Sequence, residues 1–449
     1  MPSVPHRPSG STPSIVLLTA AAAALASTGC ASTAVRAAEQ GKYLGLRASL
    51  AAELQRGELG LGEAVGFARA VARGEIERAK GEDGAQRVRD LRSCAHELDD
   101  VLDHRAGTRD AIGAVAALVR VEAGLTSADG FARWARTSPH GPTAAWRPLG
   151  ARALVSADDA ALRRKLIADV DQEVRRGALR AALQADDPED TEAVLEAARV
   201  DPYPAARAQA IRAAGVLGGG RVVLALKDLW PRADEAVRDA LVDAWATYNA
   251  FNSGGRRELA WVVDTQHGRP VIGAAAVLVR AGGEGAVEAA GALERAVHEG
   301  PTADRVRAIE AAPLRLPALR AAVAKAETDA DEAVAVAALA RRFEAPSELG
   351  GPSDTKTREA LAIRLLTAAG ATGGGALVAK GALARAHEPR LLPILERDGL
   401  AKDQKTRAEA GTALAVLGDL RRAAVVAADP EPRVRVAVSC AILRAWAAK

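Results

Sequence analysis

The chain has 449 residues, of which 49% are hydrophobic and 26% charged, and its formal net charge is +3. Aromatic residues make up only 3%, whereas Ala accounts for roughly a quarter, far above its average share. The apolar content is too high and the net charge too low for a disordered chain, and Ala is poor strand material. The composition therefore predicts a helical protein, long enough for two or three domains or for one extended array.

An apolar stretch beginning at Ile15 predicts a signal peptide, because its length of about 12 residues is too short for a membrane-spanning helix. Two processing sites follow it. Ordinary secretory cleavage would occur after Ala26, whereas Ser27-Thr-Gly-Cys30 resembles the bacterial lipobox, with Ser27 at a place where an aliphatic residue is usual. The resemblance implies removal of residues 1–29, lipidation of Cys30 and a tether over 30–40. We therefore expect a lipoprotein of the bacterial cell envelope, periplasmic or at the outer membrane, with a secreted or periplasmic soluble protein as the alternative.

Residues 41–105 have helical patterns but lack the repeated phrase found later in the chain, so they are predicted to form a helical N-terminal cap on an array. One of these helices places four potential metal ligands on one face, at spacings of 4, 7 and 8 residues: His96, Asp100, Asp103 and His104. Two imidazoles and two carboxylates could bind Zn²⁺ or a similar ion. The neighbouring residues are also acidic, and a solvated charged face explains the pattern better.

Residues 106–449 contain a phrase that recurs about every 30 positions: an acidic turn, an aliphatic residue followed by Arg, and an Ala/Leu-rich helix. Such a period with two helices per unit predicts an α-solenoid. Asp171 is expected to cap its helix, and Gly218, Gly370 and Gly418 to end theirs. We expect each repeated Arg to reach an acidic turn residue as a structural contact. The copies carry Arg109, Arg175, Arg207, Arg238, Arg307, Arg358, Arg407 and Arg435, with degenerate copies near Val271 and Val334.

The phrase Asp-x-x-x-x-Val-Arg-x-x-Ala followed by Leu-Gly resembles the second helix of HEAT repeats, especially the short HEAT-like class of phycobilisome lyases. The resemblance is clear over residues 151–250 and 401–449, and it implies an all-α superhelix of stacked helix pairs that acts as a scaffold. HEAT-like di-iron hydroxylases carry repeated His-Glu pairs as ligands. This chain has three such pairs, beginning at His96, His298 and His387, in contexts unlike each other, so they do not indicate that site.

Five of the thirteen aromatic residues lie within positions 230–261, which we call the aromatic segment: Trp230, Trp245, Tyr248, Phe251 and Trp261. Aromatic residues fill cores and also anchor protein interfaces. We interpret the segment mainly as core packing. The alternative is a partner-binding patch formed by Trp245, Tyr248, Phe251 and Trp261.

No motif for nucleotide binding, hydrolysis or a zinc protease survives comparison with the sequence, and charges of both signs are interleaved, which disfavours nucleic-acid binding. Cys94 and Cys440 are expected to be buried free thiols, since they lie far apart in an extended array. The sequence predicts a non-enzymatic, lipid-anchored scaffold without cofactors that binds protein partners through its solenoid surface. The alternative is a metal-dependent enzyme or metal-binding protein that uses the His, Glu and Asp clusters.

Overall fold

The computed structural model describes residues 33–77, 151, 154–352 and 354–447. In these ranges the chain forms twenty-one α-helices joined by short turns and contains no β-strand. Helices that follow each other in sequence pack as pairs, and each pair stacks on the next. The predicted all-α superhelix is therefore confirmed. None of the described helices is both long and apolar enough to cross a bilayer.

Three helices precede the array: α1 (Thr33–Glu39), α2 (Leu46–Gln55) and α3 (Leu61–Glu77). Nine helix pairs follow from residue 160. The first five are α4 (Ala160–Ile167) with α5 (Gln172–Ala185), α6 (Thr191–Val200) with α7 (Pro204–Leu217), α8 (Gly220–Lys227) with α9 (Glu235–Trp245), α10 (Arg256–Thr265) with α11 (Arg269–Ala281), and α12 (Ala286–His298) with α13 (Thr302–Ala311). The last four are α14 (Pro317–Ala326) with α15 (Glu332–Glu344), α16 (Thr355–Gly370) with α17 (Gly375–Arg385), α18 (Leu392–Gly399) with α19 (Gln404–Leu417), and α20 (Leu420–Ala427) with α21 (Pro432–Ala447).

The second helices of successive pairs form one continuous layer, in which each contacts the second helix of the following pair from α5 to α21. Small residues let these helices approach closely. Gly215 in α7 lies so near α9 that an added Cβ would stand 2.5 Å from the carbonyl oxygen of Ala244. The abundance of Ala in the composition thus reflects buried seams between neighbouring helices, as the many fully buried Ala residues show.

Aspartates at helix starts define where the second helices begin. The Asp171, Asp234 and Asp403 side chains each accept a hydrogen bond from a backbone N–H in the first turn, which satisfies a donor that has no partner within the helix. Gly218 and Gly418 follow the last residues of α7 and α19 with φ values of 69° and 93°. These predictions are confirmed, whereas Gly370 is the last residue of α16 itself.

The repeated phrase falls on the second helices, with two corrections to its predicted register. The copy with Arg358 lies on α16, which is the first helix of its pair. In α13 the residue four positions after the N-cap, where Arg175 and Arg407 stand in their helices, is Arg305 and not Arg307. The aliphatic-Arg dipeptide alone misplaced these copies, because Val-Arg and Thr-Arg also occur at other helical positions.

Two of the repeated arginines, Arg175 and Arg407, fasten their own turn to the next helix pair. The Arg175 guanidinium donates two hydrogen bonds to the Asp201 carboxylate, at 2.6 and 2.9 Å, and one of 2.7 Å to the Asp169 carbonyl of its own turn. Arg407 repeats this geometry, with distances of 2.7 and 3.0 Å to Asp429 and 2.9 Å to the Ala401 carbonyl. The prediction that the repeated Arg reaches an acidic turn residue is confirmed for these two copies.

The same arrangement appears on a first helix, where Arg163 has no exposed side-chain surface. It donates to Asp190 at 2.6 Å and to the carbonyl of Leu154 at 2.9 Å. Partners of this kind offset the cost of burying a guanidinium. The hydrogen bonds to Asp201 likewise raise the pKa of Arg175 above its ordinary value, against the opposing effect of burial. We call Arg163, Arg175 and Arg407, with their Asp partners, the arginine ladder.

The three N-terminal helices pack against the far end of the array. Helix α3 lies along α21, and α2 contacts α20. Phe67 of α3 has no exposed surface and belongs to the same apolar cluster as residues between Val336 and Ile442. Arg47 of α2 donates to the Gly399 carbonyl and to the Asp429 carboxylate, the latter at 3.2 Å. The described part of the predicted N-terminal cap, residues 41–77, therefore lies against the last helix pair.

One expectation about the cysteines is wrong. Cys440 of α21 is buried and disulfide-bonded, not a free thiol. Cys30 and Cys94 both lie outside the described residues.

The ladder leads to a first prediction. Replacing Arg407 by Lys keeps the charge but removes the planar fork that reaches Asp429 and two turn carbonyls. We expect a loss of about 2–3 kcal/mol in the free energy of unfolding, measured by urea denaturation. The matched control is Arg207→Lys, because Arg207 makes one exposed 3.5 Å contact with Asp234. That change should cost less than about 0.5 kcal/mol. Equal effects of the two substitutions would refute the role of the ladder.

Docking of the N-terminal helices gives a second prediction. Phe67→Ala should destabilise this contact by about 3–5 kcal/mol, because the side chain is fully buried. Since stacked units contact only their neighbours, amide exchange should accelerate in α19–α21 and stay unchanged in α4–α7. The control Leu179→Ala, in the buried part of α5, should give the opposite pattern. Unchanged exchange in α21 of the Phe67 variant would disprove the docking.

Candidate functional site

The aromatic segment forms one packed group at its centre. The Trp230 and Trp245 rings stack with centroids 5.6 Å apart and an interplanar angle of 21°, and Trp261 meets Trp230 edge to face at 5.4 Å. Such pairs stabilise a core beyond the area that they bury. The Trp230 indole N–H donates to Gln266 at 3.4 Å, at the turn before α11. The group therefore fills the junction of the third and fourth helix pairs.

The structure contradicts the prediction that Trp245 could belong to a partner-binding patch. Its side chain has no exposed surface and lies in the core cluster. A partner cannot contact it without unfolding α9. A spacing of three residues would put Trp245, Tyr248 and Phe251 on neighbouring turns if one helix ran through them, but α9 ends at Trp245.

The link between α9 and α10 carries Tyr248 on the surface, where 83% of the residue is exposed. This link comprises residues 246–255. Tyr248–Ala250 form a single helical turn, followed by a wide turn in which Gly254 has a φ of 119°. Thr247 donates to the Gly215 carbonyl at 2.5 Å, and the Asn249 side-chain amide donates to the Val216 carbonyl at 2.7 Å. These hydrogen bonds fix the link to the end of α7, so the backbone that carries Tyr248 is held in place.

Phe251 and Trp261 are partly buried and each lies beneath a cation. The Arg256 guanidinium is 5.5 Å from the Phe251 ring centroid, and the Lys227 ammonium is 5.3 Å from that of Trp261. Lys227 also pairs with Glu258 at 2.7 Å. These cation–π contacts occupy the ring faces. Of the four residues in the predicted patch, only Tyr248 has a largely exposed ring. The surface that a partner could contact is therefore the link around Tyr248.

A polar cluster around Asp239 lies on the second helices and was not predicted from the sequence. Asp239 of α9 is largely buried and pairs with Arg269 at 2.7 Å and with Arg307 at 3.2 Å. Arg307 belongs to α13, so it crosses α11 to reach this carboxylate. Gly273 of α11 lies beneath it, where an added Cβ would stand 3.9 Å from the guanidinium. Burial raises the pKa of Asp239, and the two arginines oppose that change.

This Asp239 cluster connects three successive helix pairs and fixes their relative positions. Both ion pairs are made by Asp239 Oδ2, while the buried Oδ1 of the same carboxylate has no hydrogen-bond partner. The only sequence signal for the Asp239 cluster is the aliphatic-Arg dipeptide Val306-Arg307, which the sequence pattern predicts to be a copy of the repeated phrase.

The predicted metal ligands His96, Asp100, Asp103 and His104 lie outside the described residues, as does Cys30. Within the part of the chain that the structure describes, no three His, Cys, Asp or Glu side chains come together as a metal site would require. The two described His-Glu pairs lie in different local structures. His298 ends α12, while His387 has a φ of 53° and its Nδ1 lies 2.8 Å from the Leu417 carbonyl oxygen. Glu388 accepts hydrogen bonds from Arg390, which lower the pKa of the Glu388 carboxyl.

Comparison with known proteins gives only distant structural matches. No protein-family model and no curated protein sequence matches the chain. Human deoxyhypusine hydroxylase in complex with glycerol is 16% identical, with 65% of this chain and 96% of that chain covered and a TM-score of 0.28. An engineered protein is 18% identical over 74% and 98% of the two chains, with a TM-score of 0.25. Kap121p bound to Nup53p is 13% identical over 80% and 44%, with a TM-score of 0.26. The assignment as a helical-repeat protein rests on the stacked pairs themselves.

The contrast between Trp245 and Tyr248 gives a third prediction. Trp245→Ala should lower the free energy of unfolding by about 3–5 kcal/mol, because it opens a cavity in a stacked aromatic group. Tyr248→Ala should change it by less than about 0.5 kcal/mol, because the ring is exposed. Urea denaturation of the two variants measures both values. A large loss of stability in the Tyr248 variant would mean that this residue is structural and not available for binding.

Proposed function

We propose that this helical-repeat protein is a scaffold that is exported, anchored to a membrane by lipid on Cys30, and bound to a protein partner at the link carrying Tyr248. The observation that carries the partner-binding part is the exposed Tyr248 ring on a link that hydrogen bonds hold in place. Aromatic residues on preorganised supports are typical interface anchors, since little conformational freedom is lost when they bind.

Export is supported by two features at opposite ends of the chain. The apolar stretch at Ile15 and the sequence Ser27-Thr-Gly-Cys30 have the order of a lipoprotein signal. Cys440 is disulfide-bonded, and disulfides persist in oxidising compartments outside the cytosol. Acylation of Cys30 requires that the Cys30 thiol is not the partner in this bond. A scaffold role is supported by the array itself, because stacked pairs expose long surfaces. We propose no catalytic activity.

A fourth prediction tests the binding surface. A photo-reactive amino acid at position 248 should cross-link one protein in intact cells, and affinity purification should recover that protein with the unmodified chain. Tyr248→Ala should weaken this binding by about 2 kcal/mol, roughly thirtyfold, as expected for a central aromatic anchor. Tyr203→Ala is the matched control, because Tyr203 is also exposed, at 48%, but lies at another turn. Undiminished recovery with the Tyr248 variant would exclude the link as the binding surface.

The anchor is tested separately by mass spectrometry of the mature N-terminus. An acylated Cys30 as the first residue is expected, and Cys30→Ser should release the protein from the membrane fraction. A mature chain that begins after Ala26 without acyl groups would contradict the anchor and leave the Tyr248 surface unaffected.

A further inference from the structure

Two almost fully exposed leucines lie at one corner of the molecule, where the N-terminal helices meet the end of the array. Leu44 and Leu400 have relative exposures of 104% and 76%. They belong to turns joined by Arg47, which donates to the carbonyl of Gly399, the residue before Leu400. Leu44 is three positions before Arg47. The two leucines therefore flank one side-chain contact, and we call turns 40–45 and 399–405 the leucine edge.

The leucine edge carries several exposed cations beside its two apolar tips. Lys42, Lys402 and Lys405 are exposed, and the Lys405 side chain retains 82% of its accessible surface although its ammonium lies 3.9 Å from the Glu409 carboxylate. One exposed carboxylate, Glu39, precedes turn 40–45. The exposed carboxylate of Asp403 is already engaged, since it caps α19 through hydrogen bonds from Thr406. Exposed leucines among lysines fit a surface that offers both hydrocarbon and negative charge. The headgroup region of an anionic bilayer has this combination.

The position of Cys30 in the sequence brings a membrane anchor close to this edge. Two residues separate Cys30 from Thr33, where α1 begins, and they can span about 3.3–3.6 Å each. Helix α1 has seven residues, a length of about 10 Å. Its end is fastened to the edge, because the Tyr43 hydroxyl donates to the Ala38 carbonyl at 3.3 Å. The Cys30 Cα would therefore lie within about 20 Å of Glu39, at the end of α1 that contacts the edge.

The Tyr43 ring also lies over the Arg435 guanidinium, with 3.9 Å between the guanidinium carbon and the ring centroid. Arg435 in turn donates to the carbonyl oxygens of Asp429 and Pro430. These contacts hold turn 40–45 on the last helix pair. The leucine edge is consequently a rigid part of the array, and its orientation is transmitted to all nine pairs.

We propose that the leucine edge rests on the anionic lipid surface of the membrane that holds the Cys30 anchor, with Leu44 and Leu400 inserted among the headgroups. This inference rests on the proposed lipidation of Cys30. It orients the array, because the last helix pair then lies at the bilayer and the first pair is directed away from it. The Tyr248 link, in the middle of the array, stays accessible to a partner.

The experiment uses the full, acylated chain reconstituted into vesicles of phosphatidylethanolamine with phosphatidylglycerol, and into vesicles of phosphatidylcholine alone. Hydrogen exchange measured by mass spectrometry is compared between the two. We expect slower exchange at 40–47 and 399–406 in the anionic vesicles only. The double variant Leu44→Ser, Leu400→Ser should lose this protection while it still sediments with the vesicles through its acyl chains.

The matched control is Val287→Ser. Val287 is also exposed, at 81%, but it begins a first helix and so lies at the opposite edge of the array. Its substitution should leave the protection at 40–47 intact. An acylated protein that sediments without protection at either turn would overturn the orientation and retain the anchor. A protein whose mass shows no acylation would overturn the anchor, and this inference with it.

Discussion

The guanidinium of a repeated arginine holds successive units of this array together. Arg175 and Arg407 each reach across from a second helix to the Asp of the next turn, and each also donates to carbonyls of its own turn. A planar, permanently charged group with several donors can satisfy both sets at once, and an ammonium cannot. Because these contacts are largely buried, losing one partner would leave an uncompensated charge. At the junctions where it is made, this contact fixes the position of one helix pair against the next.

At the C-terminal end of the array, additional helices cover the apolar surface that stacking would otherwise leave exposed. Helices α1–α3 cover the last pair with apolar residues such as Phe67, and Arg47 joins Asp429 beside the ladder residue Arg407. Helices α2 and α3 are thereby brought against α20 and α21, which are distant in sequence. A membrane anchor near the N-terminus would consequently hold the C-terminal end of the array, a relation that the order of segments along the chain does not reveal.

Much of the architecture was predictable from the sequence, since the repeated phrase reports local needs: an Asp cap, an apolar helix face and an Arg that needs a carboxylate. The register of Arg305 and the placement of Arg358 on a first helix were not, because a dipeptide does not specify its distance from the cap. For a similar reason, the sequence did not show which residues of the aromatic segment are buried and which are exposed. Trp245 and Tyr248 are three residues apart, yet a helix end between them puts one in the core and the other on the surface. Periodicity cannot show where a helix stops without a clear Gly or Pro.

A double-mutant cycle at Arg175 and Asp201 tests the central claim most directly. Each residue is replaced by Leu alone and together, and the coupling energy is obtained from urea denaturation. The exposed pair Arg212–Asp243, whose side chains are 42% and 55% exposed, serves as the reference. The ladder predicts a coupling above about 2 kcal/mol at Arg175–Asp201 and below about 1 kcal/mol at the reference pair. Equally small couplings at both pairs would contradict the account.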